Sequence, residues 1–369
     1  MFRTLIIAPT SLREAVMTQP LIALLARRGE VLAVAATPAV APVYRAMGRT
    51  IAQVYELPFG SGRLDWGLRR SIGAGWRRRY DVAYVLAERW FDALLPWFAG
   101  VPRRVGWAGG PLRSRLLNAA LPETADTPAS GVARFLALAG DDEAQPQPPE
   151  LALVPERVIA LCQSHGLQPG GYWAIAPGAD EAPARCWPPS RYVELIRQLH
   201  DRSGLPAVLI GSGKDVALAQ HIVAHAAPAP SLSLAGLLTT DAAAALIGGA
   251  AGLIGNDNGW MQLGAALGVP QAAVFGPTSS DEVQPLGAHV RTLRLAPSAA
   301  LGCAPCRERA CREGHQRCLA DLGALQVIDA LQAAYPQGGA MAMDGATTGS
   351  LRVAAAAGDA AAAHSAAAA

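Results

Sequence analysis

Lysine is nearly absent from this chain: Lys214 is the only one among 31 basic residues. With the excess of Ala and Gly, this points to a GC-rich coding sequence. Arginine at a position where another protein uses lysine is therefore weak evidence of altered chemistry, although the two differ in planar hydrogen bonding. Long apolar runs are also missing. Hydrophobic residues make up 51% of the chain and the mean hydropathy is +0.21, yet the nearest candidates for a membrane span, Trp90–Ala99 and Ala242–Gly255, are too short or too rich in Gly and Ala for the roughly 20 apolar residues a bilayer requires. Met1–Pro9 has a brief apolar stretch without a small-residue cleavage site, so no secretion signal is read and the expected location is the cytoplasm.

What is present suggests two units. At 369 residues the chain has the length of about two ordinary domains. Residues 1–140 hold 18 arginines against 9 acidic residues, whereas the remainder holds 13 basic against 20 acidic, so the net charge of +2 conceals a first half suited to meeting an anion. Short apolar runs at Leu5–Ala8, Val31–Ala35 and Val82–Leu86, separated by helix-like stretches such as Leu21–Arg28 and Val43–Met47, form one series. A second comprises Tyr172–Ala176, Ala207–Ile210, Gly252–Gly255 and Gln271–Phe275, with Ser190–Leu199 as an intervening helix. Continuous rather than alternating hydrophobicity predicts strands covered on both faces, hence an α/β protein with two doubly wound halves. The boundary falls in the polar, proline-rich stretch Asp141–Pro149. This gives domains at 1–150 and 151–337, followed at 338–369 by an Ala/Gly-rich tail too poor in large side chains to offset its ordering entropy.

Ligands in open α/β sheets bind at the turns after the strands. In the first half, Ala8–Ala15 carries Glu14, either a general base toward a hydroxyl in the cleft or an ordinary first-turn carboxylate favoured by the helix dipole. In the second half, Ala176-Pro177-Gly178-Ala179-Asp180 and the helix start at Arg185–Tyr192 suit a diphosphate. Gly211-Ser212-Gly213-Lys214-Asp215 has a similar character but lacks Walker spacing. Gly255–Gln262 exposes Asp257 between two asparagines before an apolar helix at Leu263–Leu267. Asp257 can accept sugar hydroxyls with the following amides facing a phosphate, or the segment is an Asx-type helix cap. No strand is followed by the dinucleotide pattern G-x-G-x-x-G with its acidic residue, and no nucleic-acid partner is read.

Together, Pro177-Gly178-Ala179, Arg185-Cys186-Trp187-Pro188, Gly211–Asp215, Leu234-Ala235-Gly236, Asn256–Gln262 and Phe275-Gly276-Pro277-Thr278 resemble glycosyltransferase family 9. Met17–Leu21, Arg79–Leu86 and Phe98–Trp107 agree with it in the first half, so the resemblance spans about residues 3–335. It implies a GT-B fold: two Rossmann-like domains facing a central cleft, the acceptor in the first and ADP-heptose in the second. The implied reaction is inverting transfer of heptose to the lipopolysaccharide inner core, without covalent intermediate or cofactor. Carried over by position, Glu14 is the base, Arg185 the diphosphate cation, and Ala179, Lys214, Asp257, Asn258, Gly259 and Gln262 the remaining nucleotide-sugar contacts. Arg69, Arg70, Arg103 and Arg104, from the wider arginine excess, are expected to meet the acidic acceptor, or else anionic lipid at the cytoplasmic face of the inner membrane as a peripheral contact.

Several positions depart from the family. It carries Gly-Asp at Arg13-Glu14, Ser or Thr at Asn258, His at Gln262, Lys at Arg185 and a basic residue at Phe91. Three readings follow: an active enzyme with a shifted base, a transferase with another donor or acceptor, or a catalytically silent paralogue that still binds ligand. Finally, Cys303, Cys306, Cys311 and Cys318 have the spacing C-x2-C-x4-C-x6-C. That spacing fits a structural zinc or iron site, reduced thiols packing a loop, or disulfides.

Overall fold

The computed structural model describes residues 2–335 apart from 60–61, 125–126, 129–130, 141–144, 180–181, 279–282 and 296–300. The tail expected at 338–369 and the start of the linker at 141–144 lie outside the described residues.

Two six-stranded sheets organise the chain. The first contains β1 (Arg3–Ile7), β2 (Val31–Ala36), β3 (Gln53–Glu56), β4 (Val82–Val85), β5 (Arg103–Trp107) and β6 (Ala119–Leu121), in the order β3-β2-β1-β4-β5-β6. The second contains β7 (Trp173–Ala176), β8 (Ala207–Leu209), β9 (Ser231–Ser233), β10 (Gly252–Asn256), β11 (Gln271–Val274) and β12 (Val290–Leu293), in the order β9-β8-β7-β10-β11-β12. Every neighbouring pair is parallel. Both sheets therefore share one winding, and strand order reverses between β1 and β4 and again between β7 and β10. Ligand crevices open at such switch points, at the carboxyl ends of the strands. The α/β class and the two doubly wound halves of the GT-B expectation are borne out.

The expected strands are the central ones, because helices cover both of their faces. Leu5, Ile6, Ile175, Leu253 and Ile254 are fully buried, and each such side chain contributes about 1.5–3 kcal/mol by leaving water. The Pro189–Ser203 helix shows how the outer layer docks. It buries Tyr192, Leu195, Ile196 and Leu199, spaced to form one stripe, and ends at Gly204 in the left-handed conformation with φ 69°.

The halves are joined along the linker. Leu151 N donates to Ala266 O at 2.8 Å and Ala152 N to Ala46 O at 3.1 Å, while Thr240 Oγ1 donates to Ala39 O at 2.7 Å. A cavity of about 140 Å3 lies here, lined by Val43, Ala46, Leu153, Val158, Ala244 and Leu263 among others. Arg45, Arg157, Thr240 and Asp241 also line it, so its wall is part apolar and part charged. Among the described residues, no helix is long and apolar enough to cross a membrane.

Candidate active site

Glu14 is placed by the local chemistry of its own turn. Ser11 caps the Leu12–Met17 helix by accepting from Glu14 N at 3.3 Å, and the Ser11 hydroxyl donates to Glu14 Oε2 at 2.6 Å. Ser11 is thus the N-cap, and Glu14 occupies the first helical turn shortly after β1. Burial pushes its carboxyl above the usual carboxylate range; the Ser11 hydrogen bond opposes that shift, Glu88 adds to it, and Arg13 and Arg134 oppose it. A half-buried carboxylate of raised pKa fits proton abstraction from a hydroxyl near neutral pH.

The second half supplies a cation and an acid at the β7/β10 switch point. Asp257, directly after β10, is 2% exposed. Its Oδ2 accepts from Thr278 Oγ1 at 2.8 Å and lies 3.9 Å from Arg185 Nη1. Its Oδ1 lies 2.5 Å from Arg13 Nη1, and its main-chain oxygen accepts from Arg13 Nη2 at 3.0 Å. Arg13 belongs to the Glu14 turn, so one side chain ties the first half's candidate base to the second half's acid. Gly259 lies in the same contact: a Cβ there would come within 2.9 Å of Leu12 Cβ and 3.1 Å of Arg13 N.

Two asparagines hold the surrounding loops. Asn256 Oδ1 accepts from Trp187 N at 3.0 Å and Tyr192 OH at 2.9 Å, and its Nδ2 donates to Pro177 O. Asn258 caps the Gly259–Ala266 helix, accepting from Trp260 N and Met261 N at 3.0 and 3.2 Å, and donates to Ala176 O and Gly178 O at 3.1 and 2.8 Å. The helix thus begins at Gly259, four residues before the expected start at Leu263. The amides of Trp260 and Met261 are engaged by the Asn258 side chain instead of being turned to a phosphate, as the cap alternative required.

The other expected contacts are distributed around this centre. Ala179 is buried behind the β7 loop. Lys214 is exposed on the neighbouring Gly213–Asp215 turn. That turn packs closely on the β7 loop, since a Cβ on Gly178 would stand 2.3 Å from the Asp215 carboxylate. Gln262 is 3% exposed and donates inward to Val283 O at 2.7 Å.

The four arginines expected to meet the acceptor separate into two pairs. Arg69 is 2% exposed, stacked over Phe59 and Phe91 at 4.3 and 4.9 Å, bonded to Leu64 O and paired with Asp92 at 3.3 Å. Arg104 donates to Leu116 O and Val101 O, both at 2.6 Å. These two guanidinium groups are directed to main-chain carbonyls, whereas Arg70 and Arg103 are exposed.

All four clustered cysteines are free and partly buried. Burial raises the Cys318 thiol first, and Cys306, Cys311 and Cys303 add to that rise. The thiols thus sense one another, but among the described residues no three His, Cys, Asp or Glu side chains are gathered as metal ligands. Their segment does support the site loops, with Arg307 N donating to Pro277 O at 2.7 Å and Ala184 N to Arg309 O at 3.0 Å.

Arg13 and Asn256 belong to the site although the sequence marks neither as a functional side chain. Arg13 could have been suspected from its place in the β1 turn. Its partner 244 positions away could not.

Known proteins share this fold and much of this sequence. The family model for glycosyltransferase family 9 (heptosyltransferase) matches residues 67–316. Lipopolysaccharide heptosyltransferase 2 of Escherichia coli K12 is 32% identical over 346 residues, covering 90% of this chain and 98% of the relative. The Salmonella typhimurium protein of the same name is 31% identical over 352 residues, covering 91% and 99%. Among solved structures, that of E. coli ADP-heptose lps heptosyltransferase II superposes with a TM-score of 0.77 at 30% identity, covering 90% of this chain and 98% of the other. The family model runs from the helix before β4 through β12 and the relatives cover about nine tenths of the sequence, so the chain belongs to glycosyltransferase family 9.

Proposed function

We propose that the chain transfers heptose from ADP-heptose to the inner core of lipopolysaccharide, as a heptosyltransferase of the second type. The observation that carries this is the joining, across the cleft, of the Glu14 turn to Asp257 and Arg185 by the Arg13 bridge. The close relatives bear heptosyltransferase names, one of them naming ADP-heptose. In this reading residues 1–150 receive the acceptor and 151–337 the donor.

The chemistry follows from the side chains. Glu14 takes the proton of an acceptor hydroxyl as its oxygen attacks the anomeric carbon. The bond from that carbon to the diphosphate oxygen breaks, configuration inverts, and ADP leaves with the electron pair. Arg185 opposes the charge that develops on the diphosphate; an interaction that strengthens during this step lowers the barrier. Arg185 Nε is buried without a hydrogen-bond partner, which is consistent with a ligand completing the site. Asp257 stands between the Arg13 and Arg185 guanidinium groups on the donor side, with Lys214 at the rim.

The test is heptose transfer from ADP-heptose to an inner-core acceptor carrying one heptose, comparing wild type with Glu14→Gln. Loss of a positioned general base costs about 10²–10⁴-fold, and a drop of that order supports the proposal. Wild type that binds ADP yet transfers nothing would point to the silent-paralogue reading, or to a different donor or acceptor.

Peripheral contact with anionic lipid at the cytoplasmic membrane face belongs to the same proposal. Trp66 and Trp97, 47% and 44% exposed, both pack on Phe98 at 5.2 and 5.0 Å, beside exposed Arg63 and Arg70. Aromatic rings amid cations suit a headgroup layer. Sedimentation with phosphatidylglycerol but not phosphatidylcholine vesicles, weakened in Trp66→Ala/Trp97→Ala, is the expected result. The four cysteines enter only as a structural support for the donor loops, and the metal content of purified protein decides whether they also hold zinc or iron.

A further inference from the structure

Arg13 takes no part in the transfer chemistry itself. Its guanidinium nevertheless spans the cleft with one nitrogen on the Asp257 carboxylate and another on the Asp257 main-chain oxygen. A planar fork held at two points on one residue fixes orientation as well as distance. The contact is enclosed, the two side chains being 14% and 3% exposed, so water screening does not reduce it to the near-neutral value of a rim ion pair. Asp257 is itself fixed by Thr278 and Arg185. The absent side chain of Gly259 lets the helix start seat directly on Leu12 and Arg13. Glu14 is the next residue in the same helical turn, so a displacement at Arg13 is passed to Glu14 through one peptide unit.

We propose that Arg13 is a positioning residue for the transfer step: by gripping Asp257 across the cleft it sets where the Glu14 carboxylate stands relative to the bound donor. This rests on the reading of the chain as a transferase. A shift of 1 Å at a catalytic group can cost about 100-fold, which sets the scale of the expected effect.

The experiment is steady-state kinetics of the full chain with ADP-heptose and the one-heptose acceptor, for wild type, Arg13→Ala and Arg13→Lys, across pH. For Arg13→Ala, kcat should fall about 10- to 100-fold while donor KM stays within about 3-fold, the pattern of a contact that matters in the transition state. The acid limb of the kcat profile should move to higher pH, because Glu14 then keeps Ser11, Arg134 and the opposing Glu88 as its neighbours but loses the Arg13 charge. Arg13→Lys should restore the position of that limb and only part of kcat, since an ammonium supplies charge without the fork. Unchanged kcat overturns the proposal, as does a loss confined to donor KM, which would make Arg13 a donor ligand. An unmoved acid limb with equal losses in both variants overturns it too, leaving a purely structural bridge.

Wild type that transfers nothing would instead sink the functional reading, and the bridge is then judged by small-angle scattering. A larger radius of gyration in Arg13→Ala than in wild type supports it, and superimposable curves overturn it.

Discussion

At the scale of single residues, Glu14 carries a consequence for pH. Burial raises its pKa in the folded chain, and as the proposed base it must lose its proton to act. Activity should therefore fall as pH drops through a value above the ordinary carboxylate pKa of about 4.3, seen as an acid limb in kcat that Glu14→Gln removes together with activity. The stability effect has the opposite sense. A folded pKa above the unfolded one means that the native state holds the proton more tightly, so the contribution is fully present below the unfolded pKa and lost as pH rises through the folded value. Glu14→Gln keeps a partner for Ser11 without a buried charge, so at neutral pH its melting temperature should equal or exceed that of wild type. A lower melting temperature would mark the carboxylate as structural.

Asn256 is the opposite kind of residue, fully buried and wholly engaged with Trp187, Tyr192 and Pro177. Asn256→Ala leaves at least two buried partners unsatisfied and should cost on the order of 2–4 kcal/mol in urea unfolding. Tyr192→Phe, which removes one of them, should cost about 1 kcal/mol.

At the scale of elements, the Gly259–Ala266 helix joins the halves by close approach. Gly259→Ala adds a methyl that must displace Leu12 or the Arg13 backbone. Transfer should fall at least about 10-fold while the helix, a better former with alanine, keeps its stability. Equal activity in Gly259→Ala would show that the contact yields without effect.

Elements also show what could be read in advance. β1, β2, β7 and β10 were legible because covering helices on both faces demand unbroken apolar runs. β3, β6 and β9 are strands at sheet edges whose residues are all exposed or half-buried, and Gln53–Glu56 or Ser231–Ser233 contain no run to find. β5 and β12 were hidden by arginines, at Arg103, Arg104 and Arg291. The candidate site divides in the same way. Glu14, Arg185 and Asp257 follow from strand-end position and motif, whereas the turning inward of Arg69, Arg104 and Gln262 depends on carbonyls brought up from other elements.

For the whole molecule, the repeated strand order places one crevice in each half, so the proposed transferase has separate surfaces for nucleotide and acceptor. ADP at a hundred times its dissociation constant should raise the unfolding free energy by about 2.7 kcal/mol, read as a thermal shift. Arg185→Ala should lose most of that shift while Arg70→Ala keeps it. A loss in Arg70→Ala instead would move the nucleotide to the first half.

A chain with thirty arginines and one lysine has a single side-chain amine, and that amine is exposed on the Gly213–Asp215 turn packed against the β7 loop. An amine-selective reagent therefore has one side-chain target, beside the proposed donor loops. A fluorophore installed at Lys214 in the otherwise native protein would report nucleotide arrival from within a few residues of the cleft, with no cysteine removed and no substitution made.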